Sequence, residues 1–251
     1  SALNDITFTL ASTSTAPFFL PISAGTGASV SMINITNNNI GGINVNSTST
    51  GAVSFRVIYA QPPALSKVTV SGNTIGGTVA NSIRQQTGGA TSGNGILAGI
   101  MILNPTIGDV VTNNLIRNLT QDNTLAGGVL SGINVQASGG QHTITGNTIS
   151  DFTTNGTNIA INNAASVVGI TMTGSAIGGS NISNNTVYNL TNTNTTVAGF
   201  IQGMYFGTGL VPQQNTTISR NFVHSINLAS VTGGMAGINI PNTGNARIFN
   251  N

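Results

Sequence analysis

Six segments of this chain align with one another without gaps: ITNNNIGGI (35–43), VSGNTIGGT (70–78), VTNNLIRNL (111–119), ITGNTISDF (144–152), ISNNTVYNL (182–190) and ISRNFVHSI (218–226). A seventh opens at Ile248 in IFNN. The shared pattern is an aliphatic residue, usually Ser or Thr, any residue, Asn, any residue, a second aliphatic, two more residues and an apolar one. The anchor asparagines are Asn38, Asn73, Asn114, Asn147, Asn185, Asn221 and Asn251, separated by 35, 41, 33, 38, 36 and 30 residues. A period of this size marks a solenoid, in which each repeat buries its apolar face only against its neighbours.

A second motif falls between the anchors: LAGIMI (97–102), LSGINV (130–135), VVGITM (167–172), IQGMYF (201–206) and MAGINI (235–240). VSFRV (53–57) takes its place in the first repeat, without the glycine. Both motifs are short, β-branched, alternating and bounded by Gly, Asn and Pro, which are strand signals. Neither carries the three-to-four spacing of an amphipathic helix. Short strands repeated in this way predict an all-β parallel β-helix of about seven coils, each of roughly 35 residues. At a strand spacing of about 4.8 Å, seven coils extend roughly 34 Å. Residues 1–251 then form one solenoid segment, with an irregular first coil over 1–30 and regular coils over 31–251. The chain starts and stops within the repeat pattern, so an excerpt of a longer solenoid, or a subunit stacked end to end, is expected.

The second motif lies a nearly constant distance before the next anchor and a variable distance after the previous one. One arc of the coil is therefore uniform, and the other takes the insertions, such as VANSIRQQTGGATSGNG (79–95). The loop-bearing side of a solenoid is often its binding side.

Three aliphatic columns point inward. They run Ile35, Val70, Val111, Ile144, Ile182, Ile218, Ile248; then Ile40, Ile75, Ile116, Ile149, Val187, Val223; then Ile43, Leu119, Phe152, Leu190, Ile226, broken by Thr78. Burying each such side chain is worth roughly 1.5–3 kcal/mol. The anchor asparagines sit where the chain turns a corner. Asn tolerates the left-handed backbone region, and stacked amides can hydrogen-bond along the axis. These residues read as a structural ladder, and sequons such as those at Asn118, Asn155 and Asn189 as products of an Asn- and Thr-rich composition. Thr36, Ser71, Thr112, Thr145, Ser183 and Ser219 form an outward hydroxyl stripe. Its neighbours Asn39, Thr74, Leu115, Thr148, Thr186 and Phe222 are too mixed for a flat ice-binding array.

Composition removes several functions. Charged residues make up only 4% of the chain, against about 25% in ordinary domains. The acids are Asp5, Asp109, Asp122 and Asp151, and there is no Glu. Disorder combines low hydrophobicity with high net charge; a 39% apolar chain of net charge +2 has neither. Six scattered cations are not the clustered patch that nucleic acid requires, so no nucleic-acid partner is expected. The absence of cysteine excludes disulfides and thiolate chemistry. No apolar run reaches the roughly 18 residues of a membrane span.

The repeat in ITGNTISDF and ISNNTVYNL resembles that of the right-handed parallel β-helix proteins of the pectate-lyase-like superfamily. The Asn/Thr/Gly-rich style is similar to that of giant secreted surface β-helix proteins of Bacteroidetes-type bacteria. The resemblance covers about residues 30–251. It implies an extracellular or cell-surface location and one of two roles. The first is a structural or adhesive segment of a surface protein or filament, whose partners are neighbouring repeats, end-to-end subunits or surface glycans. The alternative is a carbohydrate-active enzyme (a polysaccharide lyase or hydrolase) or a module binding glycan or ice through the hydroxyl stripe.

Such enzymes need paired carboxylates or a metal-binding acidic cluster. Here the interior acids fall in different columns, so no catalytic residue, metal or cofactor is assigned. One strip stands out: Arg117 and Asp151 on adjacent coils, with Tyr188 and His224 in the Arg117 column. It could hold a sugar or simply form a surface ion pair worth under about 1 kcal/mol. His142 and His224 lie in different columns. Arg56, Lys67 and Arg84 have no acidic partner in register. The apolar run PFFLP (17–21) is expected to pack over the coil edge.

Overall fold

The computed structural model describes residues 6–10, 17–25, 31–47, 51, 53–63, 66–86, 95–123, 127–174, 179–207, 216–241 and 246–251. Among them every regular element is a β-strand. No helix there is long and apolar enough to cross a membrane. The strands follow the repeat. A first level holds β1 (Ile6–Leu10), β2 (Phe18–Phe19) and β3 (Ile22–Ala24). The next runs β4 (Met32–Thr36), β5 (Asn39–Ile40), β6 (Ile43–Ser47) and β7 (Ser54–Ala60). Then come β8 (Lys67–Ser71), β9 (Thr74–Ile75), β10 (Ile83–Gln86) and β11 (Ile96–Leu103). The third full level is β12 (Val110–Thr112), β13 (Leu115–Arg117), β14 (Leu119–Asp122) and β15 (Val129–Ala137). Three-strand levels follow: β16 (Thr143–Thr145), β17 (Thr148–Thr154) and β18 (Val167–Gly174); β19 (Asn181–Ser183), β20 (Thr186–Asn192) and β21 (Phe200–Phe206); β22 (Thr216–Ser219), β23 (Phe222–Leu228) and β24 (Gly234–Asn239). β25 (Ala246–Phe249) begins another.

Like strands of successive levels pair in parallel and build three sheets. β4, β8, β12, β16, β19, β22 and β25 form the face that precedes each anchor Asn, here the ladder face. β1, β5, β6, β9, β10, β13, β14, β17, β20 and β23 form the face that follows it, the corner face. β2, β3, β7, β11, β15, β18, β21 and β24 carry the second motif and form the glycine face. The chain is thus a parallel β-solenoid, with rather fewer complete turns than the seven expected, because its first and last levels are partial.

The inward columns stack in register, as at Val70, Val111, Ile144, Ile182 and Ile218. These side chains belong to one continuous buried core. Two details depart from expectation. The third inward column is not broken at Thr78, because Ile83 pairs with both Ile43 and Leu119 and restores it after a five-residue insertion. Ser82 holds that insertion, its Oγ accepting from Gly42 N–H at 3.2 Å and Gly77 N–H at 2.7 Å. The second motif of the first repeat lies two residues later than VSFRV suggested, since Phe55 pairs with Leu97 and Ile58 with Ile100. The PFFLP run contributes a strand rather than a loose cover: Phe18 and Phe19 pair with Ser54 and Phe55. The Phe19 ring lies 4.4 Å from that of Phe8 and 5.2 Å from that of Phe55.

The anchor asparagines form an unbroken hydrogen-bonded series. Each donates its backbone N–H and one Nδ2–H to the Oδ1 of the next: Asn38 to Asn73, Asn73 to Asn114, Asn114 to Asn147, Asn147 to Asn185, Asn185 to Asn221 and Asn221 to Asn251. From Asn73 onward, each Nδ2 also donates back to a carbonyl of the previous level, as Asn147 does to Val111 O at 2.9 Å. The side chains from Asn73 to Asn221 therefore use two donors and two acceptor sites, the whole capacity of a carboxamide.

The left-handed residue at this corner is not the anchor. It is the residue before it: Asn37, Gly72, Asn113, Gly146, Asn184, Arg220 and Asn250, with φ between 54° and 67°. A second left-handed column stands four residues after most anchors, at Gly42, Asn118, Asp151, Asn189 and Ser225. There the corner-face strand bends, and in the early levels it divides into two.

Candidate functional site

The Arg117–Asp151–Tyr188–His224 strip does not form one site. Arg117, Ser150, Tyr188 and His224 share a register column on the corner face. Asp151, one residue on, occupies the left-handed column at φ 58°. Its Oδ2 accepts from Ser150 Oγ at 2.6 Å and its Oδ1 from Asn189 Nδ2 at 2.9 Å. No ion pair joins Arg117 to Asp151 among the described residues, because the corner aims Asp151 along the axis to the next level. Asp151 lines a groove of about 270 Å³ with Asn81, Asn118, Thr120 and Asn189. Arg117 lines another, of about 420 Å³, with Asn39, Thr74, Gly76 and Thr78. Its Nε is buried and has no partner among the described residues. Tyr188 and His224 stack ring on ring, 5.1 Å apart and 2° from parallel.

Arg84 has no acid in its own register position but meets one diagonally. Its Nε and Nη2 both donate to Asp122 Oδ2, at 2.7 and 2.5 Å. Arg84 is in register with Thr120, so the bond reaches two residues diagonally, a contact that direct register misses. Both side chains are about a third exposed, and exposed pairs are worth little. Asp122→Asn is expected to cost under about 1 kcal/mol in urea unfolding, with the difference shrinking at high salt. Arg56 has aromatic rather than acidic neighbours. Its guanidinium lies 4.8 Å from the Phe18 ring centre and 4.9 Å from that of Tyr59. Burial lowers its pKa, against the opposing effect of Tyr59.

One further column is built from unlike polar side chains at a shared offset from the anchors. Asp109, His142, Ser180 and Thr216 each stand five residues before an anchor Asn, and they form one column where earlier levels carry Ile33 and Val68. Asp109 and His142 are each only 1% exposed. The Asp109 backbone N–H donates to His142 Nδ1 at 3.1 Å, which leaves Nε2 as the ring donor, toward Gly139 O at 3.0 Å. Asp109 Oδ1 accepts from Val68 N–H at 3.0 Å, while Oδ2, 3.5 Å from Nδ1, has no hydrogen-bond partner among the described residues. The Asp–His–Ser order invites comparison with a hydrolytic triad. A triad needs the serine hydroxyl on the imidazole nitrogen remote from the acid. Here Ser180 Oγ accepts instead from the His142 backbone N–H at 2.9 Å. The column locks the approach to the ladder face. His142→Ala leaves the Asp109 N–H and Gly139 carbonyl unpaired in a cavity, and is expected to cost about 3 kcal/mol in urea unfolding.

The hydroxyl stripe is in register from Thr36 to Ser219. Its neighbouring column lies on the corner face, in a different sheet, so the two cannot make one flat array. Ser183 and Ser219 are also buried. Asn118 and Asn189, both sequon residues, are built into the left-handed column, and Asn118 Nδ2 donates to Gly77 O at 2.7 Å.

The loop-bearing arc joins the corner face to the glycine face. Its segment 155–166 does not project but folds over the outer surface of the glycine face. Asn158 O accepts from Phe200 N–H at 2.9 Å and from Ser166 Oγ at 2.8 Å, and Gln202 Nε2 donates to Asn162 O at 2.6 Å. Ala165 of this segment is buried against Val168 and Tyr205, with Phe200 packed alongside.

Among the described residues no group of three or more His, Asp or Glu side chains comes together. Compared with protein-family models, curated proteins and solved structures, the chain matches none of them.

Proposed function

We propose that this chain is a structural, adhesive segment of an extracellular β-helical surface protein or filament. The observation that carries this reading is the anchor series, whose buried amides are saturated by bonds along the axis and have nothing left for chemistry. Parallel strands in register and a polar ladder make a stiff spacer. The variable arc supplies loops for contacts, and the low charge leaves a surface read by shape and hydroxyls. Kinship with the pectate-lyase-like superfamily, and with the giant Asn/Thr/Gly-rich surface proteins of Bacteroidetes-type bacteria, belongs to the same proposal and rests on the repeat. Protease shaving of intact producing cells, with electron microscopy of the released protein, tests it. Peptides of this segment from the outer surface and rod-shaped particles are expected; compact separate particles from inside the cell would overturn it.

A carbohydrate-active enzyme is the second reading, favoured by one feature, the Arg117 side chain in its polar groove, whose buried Nε has no partner among the described residues. It requires that Arg117→Ala abolish turnover of some glycan. Asp151 is less suited to the acid's role, because both its oxygens already accept bonds that hold the corner.

A further inference from the structure

On the outer surface of β15 and β18 in the glycine face, three buried polar atoms have no partner among the described residues: Ser131 Oγ, Asn134 Oδ1 and Thr171 Oγ1. Asn134 is 3% exposed, and Ser131 and Thr171 are fully buried. Asn134 and Thr171 are register neighbours on β15 and β18. Buried polar groups in folded proteins are nearly always paired, so each exception requires an explanation. Asn134 also lines a recess of about 160 Å³ beneath the folded-over segment 155–166. Its other walls include Gln136, Asn158 and Asn163, with Ile96 and Val129 on one side. The side chains of Gln136 and Asn163 have no hydrogen-bond partner among the described residues.

The lining defines the occupant. Carboxamides and a neighbouring hydroxyl offer both donors and acceptors, so they suit groups that do both, as sugar hydroxyls do. None of the lining residues is charged, so a carboxylate, sulfate or phosphate would be desolvated without compensation. Ile96 and Val129 supply an apolar wall for the C–H face of a ring. At roughly 30 Å³ per water in the liquid, the recess has room for about five waters, and for one sugar ring rather than a chain. We propose that this recess binds a single neutral sugar residue, held by Asn134, Gln136 and Asn163, on the loop-bearing side of the solenoid.

The test is side-chain amide NMR of the intact chain titrated with D-glucose, D-galactose, D-mannose and N-acetyl-D-glucosamine, with D-glucuronate as the charged control. At least one neutral sugar should shift the Asn134 and Gln136 amide signals, with a Kd on the order of 1 mM. Gln136→Ala and Asn163→Ala should weaken it at least about tenfold without changing the unfolding midpoint, since neither side chain bonds to another described residue. Asn134→Leu, which fills the recess, should abolish it. The proposal is overturned if no neutral sugar shifts these amides, if glucuronate binds as well, if the variants bind unchanged, or if crystals soaked in sugar show ordered water only. None of these results depends on whether the chain is a surface rod, so the two proposals fail separately.

Discussion

Asn147→Ala should destabilise the fold by about 3–5 kcal/mol, far more than the same change at Asn38. Asn147 Oδ1 is the sole acceptor for both the backbone N–H and an Nδ2–H of Asn114, at 3.0 and 2.9 Å. Its Nδ2 donates to Val111 O and Asn185 Oδ1. Alanine leaves the two Asn114 donors buried and unpaired, at roughly 1–3 kcal/mol each. Asn38→Ala removes one partly buried side chain that, among the described residues, only donates, and the Asn38 N–H still reaches Asn73; its cost should be about 1 kcal/mol. Urea unfolding of the two variants decides the matter. Equal losses would mean that the ladder follows the fold without stabilising it. Solenoids are held by nearest-neighbour interfaces, so the central variant should also divide unfolding into two transitions, read as a lower m-value.

Asn147→Asp adds a test of direction. A carboxylate accepts from Asn114 as before but sets oxygen against Asn185 Oδ1. Protonation restores a donor, so the folded pKa of the new acid should lie above the ordinary value of about 3.9. Its stability should be greatest below about pH 4 and fall as pH rises. A variant whose stability rises with pH would contradict the donor assignment.

Gly169→Ala should cost about 3 kcal/mol, within the range of overpacked cores. A Cβ there would stand 2.4 Å from Val187 Cγ1 and 2.5 Å from Gly203 O. The glycine column brings the glycine face close to the Ile116, Ile149, Val187 and Val223 column of the corner face; Gly132 is equally tight, with Gly169 O at 2.5 Å. Gly237, in the same column but with nothing within 4 Å, is the control. Gly237→Ala should be neutral or slightly stabilising, since Ala loses less backbone entropy in a strand. Combining Gly169→Ala with Val187→Ala should recover part of the loss, leaving the carbonyl contact. Equal behaviour of Gly169 and Gly237 would refute the packing account.

The architecture was legible because it depends on local identity repeated at a period. One aliphatic–x–x–Asn–x–aliphatic unit fixes inward columns, corners and parallel pairing together. What escaped had subtler causes. The left-handed position before the anchor looks unconstrained in ISRNF, where Arg220 stands, although Asn or Gly fills it in the other levels. Ile83 was hidden by the insertion that displaces it. Asp109 and His142 shared an offset of five from their anchors, but unlike side chains do not look like one column. Arg117 and Asp151 were placed on the right levels, yet one residue along a strand reverses the side-chain direction, and at a left-handed corner it turns the side chain along the axis. The Asn134 recess depends on segment 155–166 lying over a sheet distant in sequence, which no periodicity announces.

The ladder is also a vector. From Asn38 to Asn221 every anchor amide donates to the anchor of higher number and none to the anchor of lower number, its second N–H turning back only to a backbone carbonyl, so the amide carbonyl dipoles add along the axis and polarise one another. Between anchors, one side of a cross-section offers N–H groups and the other an Oδ1 acceptor. Two such cross-sections join in one orientation only, because the reverse sets donor against donor or acceptor against acceptor. Growth of this solenoid by any further level is therefore directional at the scale of a single carboxamide.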